Sequence, residues 1–132
     1  MENINMLKAR QWAQALTLAL SALTLNAAMA HGAAKAQHGG VVQVASDISF
    51  ELVLQAEGAV IYLVDHDEPM SSAGISGKLT VLSGATKTEA EIKPAGDNKL
   101  EAKGIKIASG AKLVASLNNV EGKTVTVRFA IK

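Results

Sequence analysis

From Val41 to the C-terminus, apolar and polar residues alternate with a period of two, the spacing of half-buried strands rather than helices. In "ISFELVLQA", Phe50, Leu52 and Leu54 fall on one face and Ser49, Glu51 and Gln55 on the other, with Val53 as the exception. "GAVIYLV" (58–64) is continuously apolar, as expected for a strand covered on both faces. Alternation returns in "GKLTVL" (77–82) and "TKTEAEIK" (86–93), and "PAGDN" (94–98) reads as a turn. "KLEAKG" (99–104), "AKLVASL" (111–117) and "KTVTVRFAIK" (123–132) complete the set, the last with Val125, Val127, Phe129 and Ile131 facing inward. Short strands joined by Gly, Asn, Asp and Ser turns predict an all-β fold, a small antiparallel β-sandwich of seven to eight strands over 41–132, preferred to a small barrel.

The first thirty residues follow another pattern. Lys8 and Arg10 precede an apolar run, "ALTLALSALTL" (15–25), and Ala28 and Ala30 sit where a signal peptidase takes small residues. Residues 1–30 therefore read as a secretory signal peptide that is removed, with "AKA" (34–36) as an alternative cleavage point. The expected location is the periplasm, with no membrane anchor on the mature form. Residues 31–40, rich in Ala, Gly, Lys and Gln, read as a flexible arm.

Composition narrows the chemistry. With Glu2, Lys8 and Arg10 lost in the leader, the remaining acidic and basic residues balance. That balance argues against nucleic acid and anionic membrane surfaces as partners. There is no Cys in the 132 residues, which removes thiolate metal ligands, cysteine nucleophiles and lipid attachment at cysteine. "GKT" (122–124) lacks both the earlier glycine and the following helix of a phosphate loop. "GISGK" (74–78) closes one residue too early for a nucleophile elbow. Ser71 and Ser72 near His66 and Asp67 offer sequence proximity only. An enzyme is not expected.

The chain's three histidines carry the remaining signal. Cleavage after Ala30 gives His31 a free α-amine, which with its imidazole Nδ1 can close a chelate ring on a metal. His38 or His66 would supply a third nitrogen in the manner of a histidine brace, and Asp65 or Asp67 an axial oxygen. Such a set suits Cu(II), with Zn(II) or Ni(II) as other divalent candidates. The plain alternatives are a tail for His31, a strand start for His38-Gly39-Gly40, and a polar hairpin turn for Asp65-His66-Asp67. Met70, the one methionine outside the leader, is weak support for Cu(I).

The layout His38-Gly39-Gly40, then Glu51-Leu52, then Tyr62…Asp65…Pro69, followed by "GKLTVL" and "IKPAGDNKLEAKG", resembles a known domain. It is similar to the periplasmic N-terminal β-domain of membrane-fusion adaptors in heavy-metal efflux pumps and to small secreted relatives of that domain, over residues 38–130. The resemblance implies handling of copper, zinc, cobalt or nickel beside an efflux system, whose components would be the partners. The adaptor's helical hairpin and barrel regions are missing here, as is a histidine often found near its last strands. Metal binding and carriage by ligand exchange is the expected function. The alternative is a non-metal module that docks onto an envelope complex through strand edges or loops.

Overall fold

The computed structural model describes residues 33–132, and the expected leader and His31 lie outside them. The described chain is all-β and antiparallel. Its strands are β1 (Val41–Ala45), β2 (Ile48–Gln55), β3 (Gly58–Asp65), β4 (Glu68–Pro69), β5 (Ser76–Ser83), β6 (Thr86–Pro94), β7 (Lys99–Lys103), β8 (Lys112–Val120) and β9 (Lys123–Ala130). Each alternating stretch becomes a strand because one of its faces has a core to cover. The inward set includes Phe50, Leu52, Ile61, Leu63, Leu79, Ile92, Leu113 and Leu117, all buried, and the expected quartet Val125, Val127, Phe129 and Ile131 is buried with them.

The strands form one hydrogen-bonded sheet in the order β1-β2-β3-β7-β6-β5-β8-β9, with β4 beside β3. The two packed layers expected of a sandwich are thus parts of one ladder that curls round until β1 lies against β9. No ladder joins those two strands, so the barrel is nearly closed. Two pairings cause the curl. β3 takes β2 on one side, and on the other takes β7 along Gly58–Tyr62 and β4 at Val64 and Asp65. β5, β6 and β7 then run as consecutive hairpins, and β8 returns beside β5. That spatial order, 8-5-6-7, is a Greek key.

Two tight turns flank the β2–β3 pair at the same end of the barrel. Ser46 and Asp47 link β1 to β2 with φ of 50° and 64°, and His66 and Asp67 link β3 to β4 with φ of 48° and 65°. Two successive left-handed residues in a two-residue loop make a type I′ turn, whose twist matches that of the flanking strands. Asp tolerates this conformation better than most residues, and His66 is the less usual occupant.

Candidate functional site

The stretch 33–40 has no helix or strand, yet it is pinned to the barrel rather than free. It crosses the outer face of β2 and β3 as a strap. The Ala34 N–H donates to Ser49 Oγ at 3.1 Å. The N–H groups of Gln37, His38 and Gly40 donate to the two oxygens of Glu51 at 2.8, 2.8 and 2.9 Å. His38 Nδ1 lies 3.2 Å from Glu51 Oε1, and the His38 ring stacks on Tyr62 with centroids 3.6 Å apart and planes 4° from parallel.

This arrangement accounts for the glycine pair. Gly39 has φ of 70° with open space where a Cβ would sit, so it serves the bend. Gly40 serves close approach, because a Cβ there would run into the Leu52 carbonyl oxygen and Glu51 Cγ. It also accounts for Glu51, which belongs by alternation to the outer, polar face of β2. The strap covers it, and its side chain is 7% exposed. Burial alone would raise the Glu51 pKa. The backbone donors Gln37, Gly40 and His38, with the His38 ring, outweigh that and hold it below the ordinary glutamate value.

The short motifs of the sequence therefore meet in space. His38-Gly39-Gly40 closes on Glu51, whose cross-strand partner is Tyr62, and the Tyr62 ring receives His38. Asp65 lies farther along β3, and its Oδ1 is 2.5 Å from His66 Nδ1. The side chain of His66 is 86% exposed and that of Asp65 35% exposed. Asp67 occupies the second turn position and is exposed.

Of the expected ligands, His66 and Asp65 are brought together, and His38 is held elsewhere. Four residue steps lead from Tyr62 to His66, just past the end of β3, about 13 Å at strand rise. Among the described residues no group of three His, Asp or Glu side chains is arranged to hold a metal ion. In both histidines a carboxylate occupies Nδ1. In the neutral ring this makes Nδ1 the donor and leaves the Nε2 lone pair available to a cation. Carboxylate-supported imidazole is a common way of fixing the tautomer of a metal-binding histidine.

Ser72 has a different role from its sequence neighbours. It is buried, and its hydroxyl donates to the Asp97 carbonyl at 3.2 Å. Beside it lies a depression of about 550 Å³ lined by residues including Met70, Ser71, Asp97 and Asn98. The Asn98 amide is already given to the Leu63 carbonyl.

Sequence reasoning missed the part played by Glu51 and the stacking partner Tyr62. A signal was present, namely a glutamate flanked by apolar residues in a strand that follows a His-Gly-Gly. No family model, curated protein or solved structure matches the chain.

Proposed function

We propose that this chain is a periplasmic metal-handling protein that works beside a heavy-metal efflux system, with its site at the β3–β4 hairpin tip. The reading is carried by the direction of the strap. Ala34 is tied to Ser49, and Ser49 pairs with Val64, two residues before His66. Residue 31 is three residues ahead of Ala34, a reach of about 10 Å in extended chain. Cleavage after Ala30 would give that residue, which lies outside the described ones, an α-amine beside its imidazole, tethered to Ala34 by no more than that length. His66 would add Nε2, with Asp65 supporting the ring through Nδ1. Three nitrogens of this kind suit Cu(II), and Zn(II) or Ni(II) less closely. When bound, such an ion is cargo, passed on by ligand exchange with efflux components. The protein's part is to hold Nε2 outward at an exposed tip where a partner can reach it.

The test is Cu(II) titration of the exported, processed chain, read by calorimetry and electron paramagnetic resonance. One equivalent with a nitrogen-rich spectrum is expected, lost in His66→Ala and retained in His38→Ala. Equal binding by wild type and His66→Ala would sink this assignment. A second reading, a docking module without metal, is favoured by the junction where β1 lies against β9 with no ladder between them among the described residues, which leaves two strand edges unpaired with each other. It predicts that His66→Ala leaves metal tolerance of the host cell unchanged.

A further inference from the structure

We propose that β6 carries a self-association surface: its open edge over Thr86–Glu91 pairs antiparallel with the same edge of a second copy of this chain, centred on Thr88. The proposal does not rest on the metal reading. β6 pairs with β5 from Thr86 to Ile92, but with β7 only at Ile92, Lys93 and Pro94. β7 is short, and past it the Gly104 N–H turns to the Glu57 carbonyl, so the chain leaves β6 rather than following it. Among the described residues, no backbone hydrogen bond beyond the β5 ladder reaches Thr86–Glu91. Thr86, Lys87, Thr88, Glu89 and Glu91 are exposed and Ala90 is half-buried, so no other segment covers that side. A bare strand edge of this kind is a template for another strand. β1 and β9, which also lack a ladder on one side, lie against each other instead.

The order of side chains along the run selects the occupant. Val81 and Leu79 are buried and face Thr88 and Ala90 in the β5–β6 ladder. Thr86, Thr88 and Ala90 therefore share the core face of β6, and Lys87, Glu89 and Glu91 its outer face. A second copy must keep outer face beside outer face, since a one-residue slip reverses every side chain, so the two-fold axis sits on a residue. On Lys87, Glu89 or Glu91 it would set that charge against itself. On Ala90 it would set Glu89 against Glu91 twice, and on Thr86 it would pair the strand with the Gly84–Ala85 turn. On Thr88 it sets Lys87 against Glu89 of the second copy and Glu89 against its Lys87, with Thr88 on Thr88 and Thr86 on Ala90. Opposite charges directly across a ladder stabilise it, and like charges there destabilise it. Lys87 and Glu89 already meet at 3.3 Å within the chain, yet their side chains are 62% and 40% exposed and can take a second partner. The ladder covers Thr86 to Ala90 of each copy, far short of the ~20–30 residues a side of a stable interface, so association is weak and concentration-dependent.

The experiment is sedimentation equilibrium of the processed, metal-free chain over a concentration series at low ionic strength. Wild type is set beside Lys87→Glu and the double swap Lys87→Glu with Glu89→Lys, all at exposed positions. Wild type should show a monomer–dimer equilibrium. Lys87→Glu, which sets like charges together in the Thr88 register, should raise the dissociation constant at least tenfold, and the double swap should return it close to wild type. A wild type that stays monomeric throughout would leave the edge to a strand of another protein and overturns the proposal, as does a dimer indifferent to Lys87→Glu. Because the chain has no Cys, a single Thr88→Cys reads the register directly. Directly opposed residues of an antiparallel ladder lie about 4.5–5.5 Å apart at Cα, within disulfide reach. Under mild oxidation Thr88→Cys should form covalent dimers at least tenfold faster than Glu91→Cys, which the two-fold carries away from its counterpart. Equal rates overturn the register, and with it the argument for a second copy.

Discussion

The described residues contain two histidine–carboxylate pairs that share their chemical groups and differ in burial, sequence separation and the partners they serve. His38 and Glu51 are thirteen residues apart and meet at 3.2 Å, with Glu51 nearly enclosed. His66 and Asp65 are chain neighbours that meet at 2.5 Å on an exposed turn. The first pair joins two parts of the chain, and its carboxylate also serves three backbone amides. The second joins nothing that the turn has not already joined. The same functional groups make an anchor where water is excluded and an available nitrogen where it is not. Shortness of contact is therefore a poor guide to structural worth, since solvent screening takes most of the energy from the shorter pair.

The sharpest way to test that contrast is to delete each carboxylate. Glu51→Ala should cost about 3 kcal/mol, the value of one or two hydrogen bonds to a charged group, because Gln37 and His38 are exposed and their amides can turn to water. Asp65→Ala should cost less than ~1 kcal/mol, as expected for an exposed pair. Urea denaturation of the two variants checks this, and equal losses would abolish the distinction. Next in size is the fit of the strap. Gly40→Ala should cost about 1–3 kcal/mol through overpacking against Leu52 and Glu51. Gly39→Ala should cost ~1 kcal/mol, from backbone strain alone. Thermal melts should rank the two in that order.

A third prediction concerns acid. The folded-state pKa of Glu51 is lowered, so its ionised form stabilises the fold fully above the unfolded value of about 4.3. That contribution is lost as pH falls through the lower folded value. Stability measured from pH 6 downward should therefore drop more steeply below about pH 4.3 in wild type than in Glu51→Gln. Parallel curves would mean the carboxylate contributes nothing specific. The smallest effect carries the opposite sign. His66→Gly relieves a left-handed residue in a type I′ turn and should raise stability by about 0.5–1 kcal/mol. A stability gain with loss of copper binding would mark His66 as a residue kept for chemistry at some cost to the fold.

Much of the barrel was legible because it depends on short-range alternation. The expected run 86–93 became β6, 99–104 became β7, and 123–132 became β9, each from the same first residue and within one or two residues at its end. The single curled sheet was not legible, since nothing local to β3 says that β7, from some forty residues later, will be its second neighbour. The site divides in the same way. The turn at Asp65-His66-Asp67 could be read from its residues, and its type I′ geometry is a local matter. The capture of the strap could not, because it depends on Glu51 meeting three amides that precede it by eleven to fourteen residues. Alternation placed Glu51 on a solvent face, and only the fold shows that another piece of chain occupies that solvent. Leu54 departs in the other direction. It keeps the phase of Phe50 and Leu52 but lies near the end of β2 and is 41% exposed.

The unladdered meeting of β1 and β9 gives the barrel a slit along its length. A closed ring of ladders resists any change of girth, because every widening breaks backbone hydrogen bonds. A cylinder with one unzipped junction behaves as a split collar, whose circumference changes by sliding side chains past one another. Girth in this protein is thus set by packing across the slit, where β1 lies against β9.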